Sequence, residues 1–337
     1  MQSPPAPKPP ERLGAIDFTK GALVVFMVIY HSLNYSTQYE LGFRYLAFLP
    51  PSFIFITGFL MAMVYFPRPA SRDALTSGRM MLRGVKLLIL FTLLNVAATL
   101  VASHNFHGQR LDLGLFFRHW QEVYFLGGGT LAAFEVLLPI AYILLLGPVL
   151  LWLSRRRRWA LPVIAALTIA LLAVIETQRL LPANTAMMSA GLLGAALGGL
   201  LAGRLTGLGR YWWLAPALYV LLAILAHGRM SHSFLLQLGA ATLALATLFG
   251  IGHGFTRPAW LVERFTLLGH YSLLAYIVQI GFLQAAVRLL GRPEPASPDF
   301  FLLFLATLLV TVLAAEITTW LRQQSRLFDR GYRMIFA

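Results

Sequence analysis

Apolar runs of about 20 residues recur along this chain of 337 residues, separated by short polar or basic segments. A run of that length carries a helix across the hydrocarbon core of a bilayer, at a rise of about 1.5 Å per residue. The pattern predicts about ten membrane helices, near 17–36, 43–66, 83–104, 130–153, 159–178, 184–203, 211–227, 233–252, 269–290 and 299–321. Barrel strands alternate in polarity and are about half as long, so the strand alternative is weak. The expected fold is all-α, a polytopic integral membrane protein. Residues 17–325 read as one transmembrane domain. Residues 1–16 are Pro-rich and polar and read as a disordered tail. They lack the apolar core of a cleaved signal, so the first helix is expected to stay. Residues 326–337 read as a C-terminal tail.

Composition agrees. Hydrophobic residues make up 58% of the chain and charged residues only 12%, against about 25% charged in soluble domains. Cysteine is absent, which excludes disulfides, a thiol nucleophile and thiolate metal sites.

The net charge of +14 looks like nucleic-acid binding until the charges are placed. An even helix count puts both termini on one side. Twenty of the 27 Lys and Arg residues then share that side and seven lie opposite. The positive-inside rule makes the rich side cytoplasmic, and the expected location is the plasma (bacterial inner) membrane. Topology and anionic lipid thus account for the charge without nucleic acid. A docking surface for an anionic cytoplasmic donor is the functional alternative. Arg79 and Arg83, in the inner loop expected over 68–86, and the run Arg155–Arg158 are its candidates.

Direction along the helices gives depth. Asp17 and Lys20 lie at the inner mouth of the first helix and His31 lies in its outer half, roughly 21 Å from Asp17. Glu135, near the outer start of the fourth helix, is expected at the level of His31. A histidine and a carboxylate at one depth suit a general base and its orienting partner. Asp17 and Lys20, at i and i+3, are placed to pair on one helix face, and Asp17 also suits the helix dipole. Asn34, Tyr35, Asn95, Ser272, Tyr276 and Gln279 are further polar residues within the apolar runs. They suit substrate contacts or hydrogen bonds between helices. The outer loop 105–129 offers His107, His119 and Glu122 beside aromatic residues. Its spacing is too permissive to indicate a metal site, and its rings suit a sugar or an interfacial belt.

Arg12, Asp17, Lys20, Gly21 and His31 resemble the opening motif of the membrane acyltransferase superfamily: an arginine, then Asp-x-x-Arg-Gly, an apolar stretch and a histidine. That group includes the acyltransferase-3 family, the periplasmic-glucan succinyltransferases and the heparan-glucosaminide N-acetyltransferases. Lys20 stands where arginine is usual. Phe53-Ile-Phe55-Ile-Thr57-Gly58-Phe59 is similar to the superfamily's Phe-x-Phe-x-x-Gly-Phe element. Phe134-Glu135 through Tyr142 is similar to a Phe-Asp-Val-Leu-x-x-Tyr segment, with Glu for Asp. Leu268 through Gln279 is similar to a late Gly-x-x-Ser-x-x-x-Tyr-x-x-His element, with Gln279 in place of the histidine.

The resemblance implies transfer of an acyl group, acetyl or succinyl, from cytoplasmic acyl-CoA to a hydroxyl or amine of an extracytoplasmic carbohydrate. His31 would be the base, with Glu135 and Asp17 as further catalytic candidates. Arg12, Lys20, Asn34, Tyr35, Arg79, Arg83, Asn95, Ser272, Tyr276 and Gln279 would contact substrates. No permanent cofactor and no metal are implied; acyl-CoA is the co-substrate. The expected partners are acyl-CoA, a glycan acceptor and the lipid bilayer, with no nucleic acid, and a homodimer is left open. The rival reading is a transporter or flippase that uses Asp17, His31 and Glu135 as a proton or substrate path. A structural membrane subunit is a third.

Overall fold

The computed structural model describes residues 14–38, 46–101, 112–127, 131–157, 159–177, 183–202, 213–226, 232–254 and 258–336. Among them it is helical throughout and contains no strand. The helices are α1 (Gly14–Asn34), α2 (Leu49–Tyr65), α3 (Asp73–Val101), α4 (Leu113–Arg118), α5 (Leu137–Arg156), α6 (Ala160–Thr177) and α7 (Ala183–Leu201). They continue with α8 (Leu214–Ala226), α9 (Phe234–Gly254), α10 (Ala259–His270), α11 (Ser272–Leu290), α12 (Pro298–Gln324) and α13 (Arg326–Phe336). Seven of these are long and apolar enough to cross a membrane, and α2, α6 and α8 are shorter apolar helices. Each of the ten falls on one of the ten expected runs. Leu100, Leu225, Leu289 and Leu305 are exposed on them, as lipid-facing side chains should be.

Small residues set the two closest helix crossings. A Cβ on Gly58 of α2 would collide with the Gly191 carbonyl of α7, and one on Gly194 with the Phe55 carbonyl. At the other crossing a Cβ on Gly21 of α1 would collide with the Phe265 carbonyl of α10, and one on Gly269 with the Asp17 carbonyl. Glycines facing backbone let helices approach until dispersion contacts and close packing hold them without any hydrophobic drive from water.

Several element boundaries differ from those expected. The segment 68–86 is not a loop: α3 begins at Asp73, ten residues before its expected start. Thr76 and Met80, four apart, bury one face there while Arg79 and Arg83 stay exposed. The fourth membrane helix starts at Leu137, so Glu135 precedes it. Phe134 has φ +59°, a left-handed conformation that a helix cannot contain. The N-terminal tail ends by Gly14, where α1 starts, and residues 326–336 form α13. The chain also breaks at Tyr271 (φ −104°, ψ 23°), which separates a short α10 from α11.

Candidate active site

The Gly21–Gly269 crossing has a direct electrostatic consequence. It places His270 Nε2 2.9 Å from Asp17 Oδ2, with the aspartate side chain 17% exposed and the imidazole 35%. Sequence spacing offered Asp17 a neighbour on its own helix; the partner seen here lies more than 250 positions away. Asp17, Lys20, Tyr65, Arg83, Arg155 and Arg322 mark one end of the bundle, hereafter the basic end. Arg155 pairs with Asp73 at 3.0 Å, and Arg83 donates to the Tyr65 hydroxyl.

A cavity of about 360 Å³ opens from this end. Lys20, Tyr65, Arg83 and Ser272 line its polar part. Its walls then turn apolar with Met27, Phe53, Ile56, Leu60, Leu137 and Ile140, and Tyr276 also lines it. Phe53 and Tyr65 are twelve residues apart on α2, so the lined length is roughly 18 Å.

The Tyr276 ring links the cavity to His31. Their centroids lie 5.9 Å apart, and the Tyr30 ring meets the imidazole edge-on at 5.2 Å. His31 Nε2 is shielded from solvent and has no hydrogen-bond partner among the described residues. Phe134 packs edge-on against Tyr276 at 5.9 Å. Glu135, the next residue, lies within electrostatic range of both the Tyr30 and Tyr276 hydroxyls. His31 and Glu135 therefore border the same pair of tyrosines.

Asn95 explains how Glu135 is held outside a helix. Its Nδ2 donates to the Phe91 and Ala133 carbonyls, both at 3.0 Å, and its Oδ1 accepts from the Ala133 N–H at 2.7 Å. The amide thus supplies the backbone partners that an α-helix would have provided. Asn95 acts here on the chain's own backbone. Tyr124, from the segment after α4, is a second clamp. Its hydroxyl meets Thr92 Oγ1 at 2.6 Å, while its carbonyl accepts from Tyr142 at 2.5 Å and Asn184 at 3.0 Å. His119 and Glu122 stand 3.6 Å apart on the exposed side of that segment. No group of three metal-ligating side chains occurs among the described residues.

The remaining sequence candidates separate by position. Lys20, Arg83, Ser272 and Tyr276 line the cavity, whereas Arg79 is exposed and lies off it. Asn34 is buried and bonds the Tyr30 side chain. Tyr35 is buried and bonds Gln284. Gln279 is fully buried, and neither end of its amide has a partner among the described residues. Arg12 and His107 lie outside the described residues. Sequence reasoning gave no role to Tyr30, Tyr65 or His270. Tyr65 closing an apolar run beside Arg68, and His270 inside a recognised motif, were the available signals.

The sequence model described as an acyltransferase domain matches residues 13–316, nearly the whole chain. The chain belongs to the acyltransferase-3 family. No curated protein matches it. An acyltransferase-3 domain makes this an acyltransferase built on membrane helices, and the transporter and structural-subunit readings fall away. The family resemblance also gains physical reasons. Gly21 and Gly269, each within a recognised motif, are the two glycines that let Asp17 and His270 meet. Gly58, from the second motif, seats α2 on α7 and so fixes one wall of the cavity.

Proposed function

We propose that this acyltransferase moves an acetyl or succinyl group from cytoplasmic acyl-CoA to a hydroxyl or amine of an extracytoplasmic carbohydrate. The observation that carries the reading is the cavity, which joins Lys20 and Arg83 at one end to Tyr276, and through it His31, at the other. The charge asymmetry of the sequence supports a cytoplasmic basic end. Lys20 and Arg83 bind donor phosphates by charge-assisted hydrogen bonds. The apolar middle takes the donor's arm and excludes water. The thioester carbonyl then lies beside Tyr276, whose hydroxyl donates to the developing oxyanion.

His31 Nε2, in the neutral imidazole, accepts the proton of the acceptor's hydroxyl or amine. The acceptor oxygen or nitrogen bonds to the acyl carbon, the carbon–sulfur bond breaks, and the CoA thiolate takes the proton back from the imidazolium. Glu135 stabilises the transient imidazolium through the tyrosine pair that both residues border. Asp17 and His270 hold α1 against α10, so Asp17 positions the helix rather than touching the reacting atoms.

The test uses protein in nanodiscs, which leave both faces accessible. Acetyl-CoA, succinyl-CoA and longer acyl-CoAs are offered with a glycan mixture, and free CoA and acylated glycan are followed by mass spectrometry. CoA release that depends on both glycan and His31 is the expected result. Absence of thioester turnover with every donor would overturn the assignment of acyl-CoA.

A further inference from the structure

The C-terminal helix α13 bridges two walls at the basic end of the cavity, meeting Lys86 on α3 and Tyr271 before α11. The Lys86 ammonium donates to the Arg333 carbonyl at 3.5 Å, and Lys86 adjoins the cavity-lining Leu87 on α3. On the opposite wall the Tyr332 ring packs on Tyr271 at 5.6 Å, and Tyr271 adjoins the cavity-lining Ser272. Arg322 of α12 fastens the helix. It donates to Asp329 at 2.7 Å and lies 4.5 Å over the Tyr332 ring. One face of α13, with Asp329 and Tyr332, is therefore committed to the bundle.

Its other faces are uncovered and of two kinds. Leu327 is 82% exposed and Met334 70%, with Ile335 and Phe328 exposed beside them. Spacings of seven and eight residues put Leu327, Met334 and Ile335 on one side of the helix. Arg326 and Arg330 are exposed on the adjoining side and make no side-chain bond among the described residues. An apolar strip beside a cationic strip matches a leaflet of anionic lipid, where the strip enters the acyl boundary and the arginines meet headgroup phosphates. The helix begins two residues after α12, itself long and apolar enough to cross a membrane, ends. That places it where a membrane surface lies.

We infer that α13 is an interfacial helix that docks on anionic lipid, and that this docking keeps it strapped across the cavity mouth. Lipid charge then governs access to the cavity. The inference needs only the cavity and the helix, not the identity of the donor.

The absence of cysteine makes the test clean, because one introduced thiol is the only one. Met334→Cys carrying a nitroxide reports depth by its collision with oxygen against a water-soluble nickel chelate. In nanodiscs with phosphatidylglycerol the label should sit about 5–10 Å into the boundary. In pure phosphatidylcholine it should be shallower. Two arginines near a charged surface favour partition by about thirty-fold, and Arg326→Gln with Arg330→Gln should erase the lipid dependence. Val64 also lines the cavity, so Val64→Cys is a second reporter that reads the strap. An uncharged maleimide should label it more slowly in anionic than in neutral nanodiscs, and the double glutamine variant should remove the difference. Equal depth in both lipids would overturn the docking. Lipid-dependent depth with equal labelling at Val64→Cys would overturn the strap. Both readouts need no acyl donor, so their failure is distinguishable from failure of the acyl-CoA reading.

Discussion

The two ends of α1 are built on opposite terms. At the basic end four carboxylates are held in ion pairs: Asp17 with His270, Asp73 with Arg155, Glu316 with Arg264, and Asp329 with Arg322 and Arg333. At the His31 end, buried polar atoms of His31, Ser32, Gln279 and Gln284 lack protein partners among the described residues. An unsatisfied buried polar group costs about 1–3 kcal/mol, so a fold built for stability alone would have paired or removed them. A chain keeps such groups where a substrate's own polar atoms complete them. Paired charges thus hold the frame, and on the mechanism proposed above the unpaired groups mark the chemistry.

The largest expected effect tests that division. His31→Ala should lower kcat/KM by about 10²–10⁴-fold while expression and melting temperature stay near wild type. On the proposed mechanism the imidazole contributes proton transfer, and removing it also removes an unsatisfied atom. If Glu135 acts with His31, adding Glu135→Gln to His31→Ala should cost little more. A double defect equal to the product of the single ones would separate the two residues. A large fall in melting temperature for His31→Ala would break the comparison itself, by making the far end structural.

How much of this was legible in sequence follows from the same division. Length and hydropathy set the ten runs because lipid demands continuous apolar helices, whatever their neighbours. The motif residues His31 and Tyr276 were legible through their place in apolar runs, and their meeting is now a distance. Glu135 was placed in a helix because nothing local revealed Asn95, 38 positions away, gripping Ala133. The Asp17–His270 pair was illegible for a related reason: two glycines permit the approach, but a glycine does not name its opposite helix. Residues 68–86 read as a loop because their dense charge masks the helical period. Arginines on one exposed face are compatible with a buried Thr76 and Met80 on the other.

Glycines give the next effect, this time on the frame. Gly21→Ala and Gly194→Ala each drive a methyl into backbone carbonyl and should destabilise by about 1–3 kcal/mol or more. Gly281, also in a membrane helix, has open space around its Cβ position. Gly281→Ala should be neutral or slightly stabilising, since alanine is the better helix former by about 1 kcal/mol. Thermal melting in detergent reads all three. Equal melting temperatures would mean that the crossings tolerate separation and that Asp17 and His270 are not held by them.

A smaller effect distinguishes two arginines on α3 that sequence treated alike. Arg83 lines the cavity and Arg79 does not. Arg83→Gln should raise donor KM by roughly 2–5-fold, the worth of one well-solvated charge contact. Arg79→Gln should change it less, and acceptor KM should follow neither. Raising ionic strength should shrink the Arg83 effect, since exposed charges are screened within about 8 Å at physiological salt. Equal effects at both positions would assign these charges to the general surface potential instead of the cavity.

The smallest effect concerns protons at the strap. The Arg322 hydrogen bond, aided by Arg333, holds the Asp329 carboxyl below its ordinary value of 3.8. Docked α13 therefore binds fewer protons than undocked α13 at the same acidic pH. A carboxyl depressed in the docked state favours docking fully above its ordinary value, and that contribution is lost as pH falls through the depressed one. Attachment of α13 should thus be flat from neutrality down to about pH 5 and weaken below pH 4, with no change on the alkaline side up to pH 9. A nitroxide at Met334→Cys in phosphatidylcholine nanodiscs follows this as mobility, free of competing headgroup titration. Asp329→Asn should remove the acid transition and start from the more mobile level, because the amide keeps the size but not the charge that Arg322 and Arg333 share. An acid transition that persists in Asp329→Asn would move its origin to another carboxylate, with Glu316 of α12, paired to Arg264 of α10, the next to test.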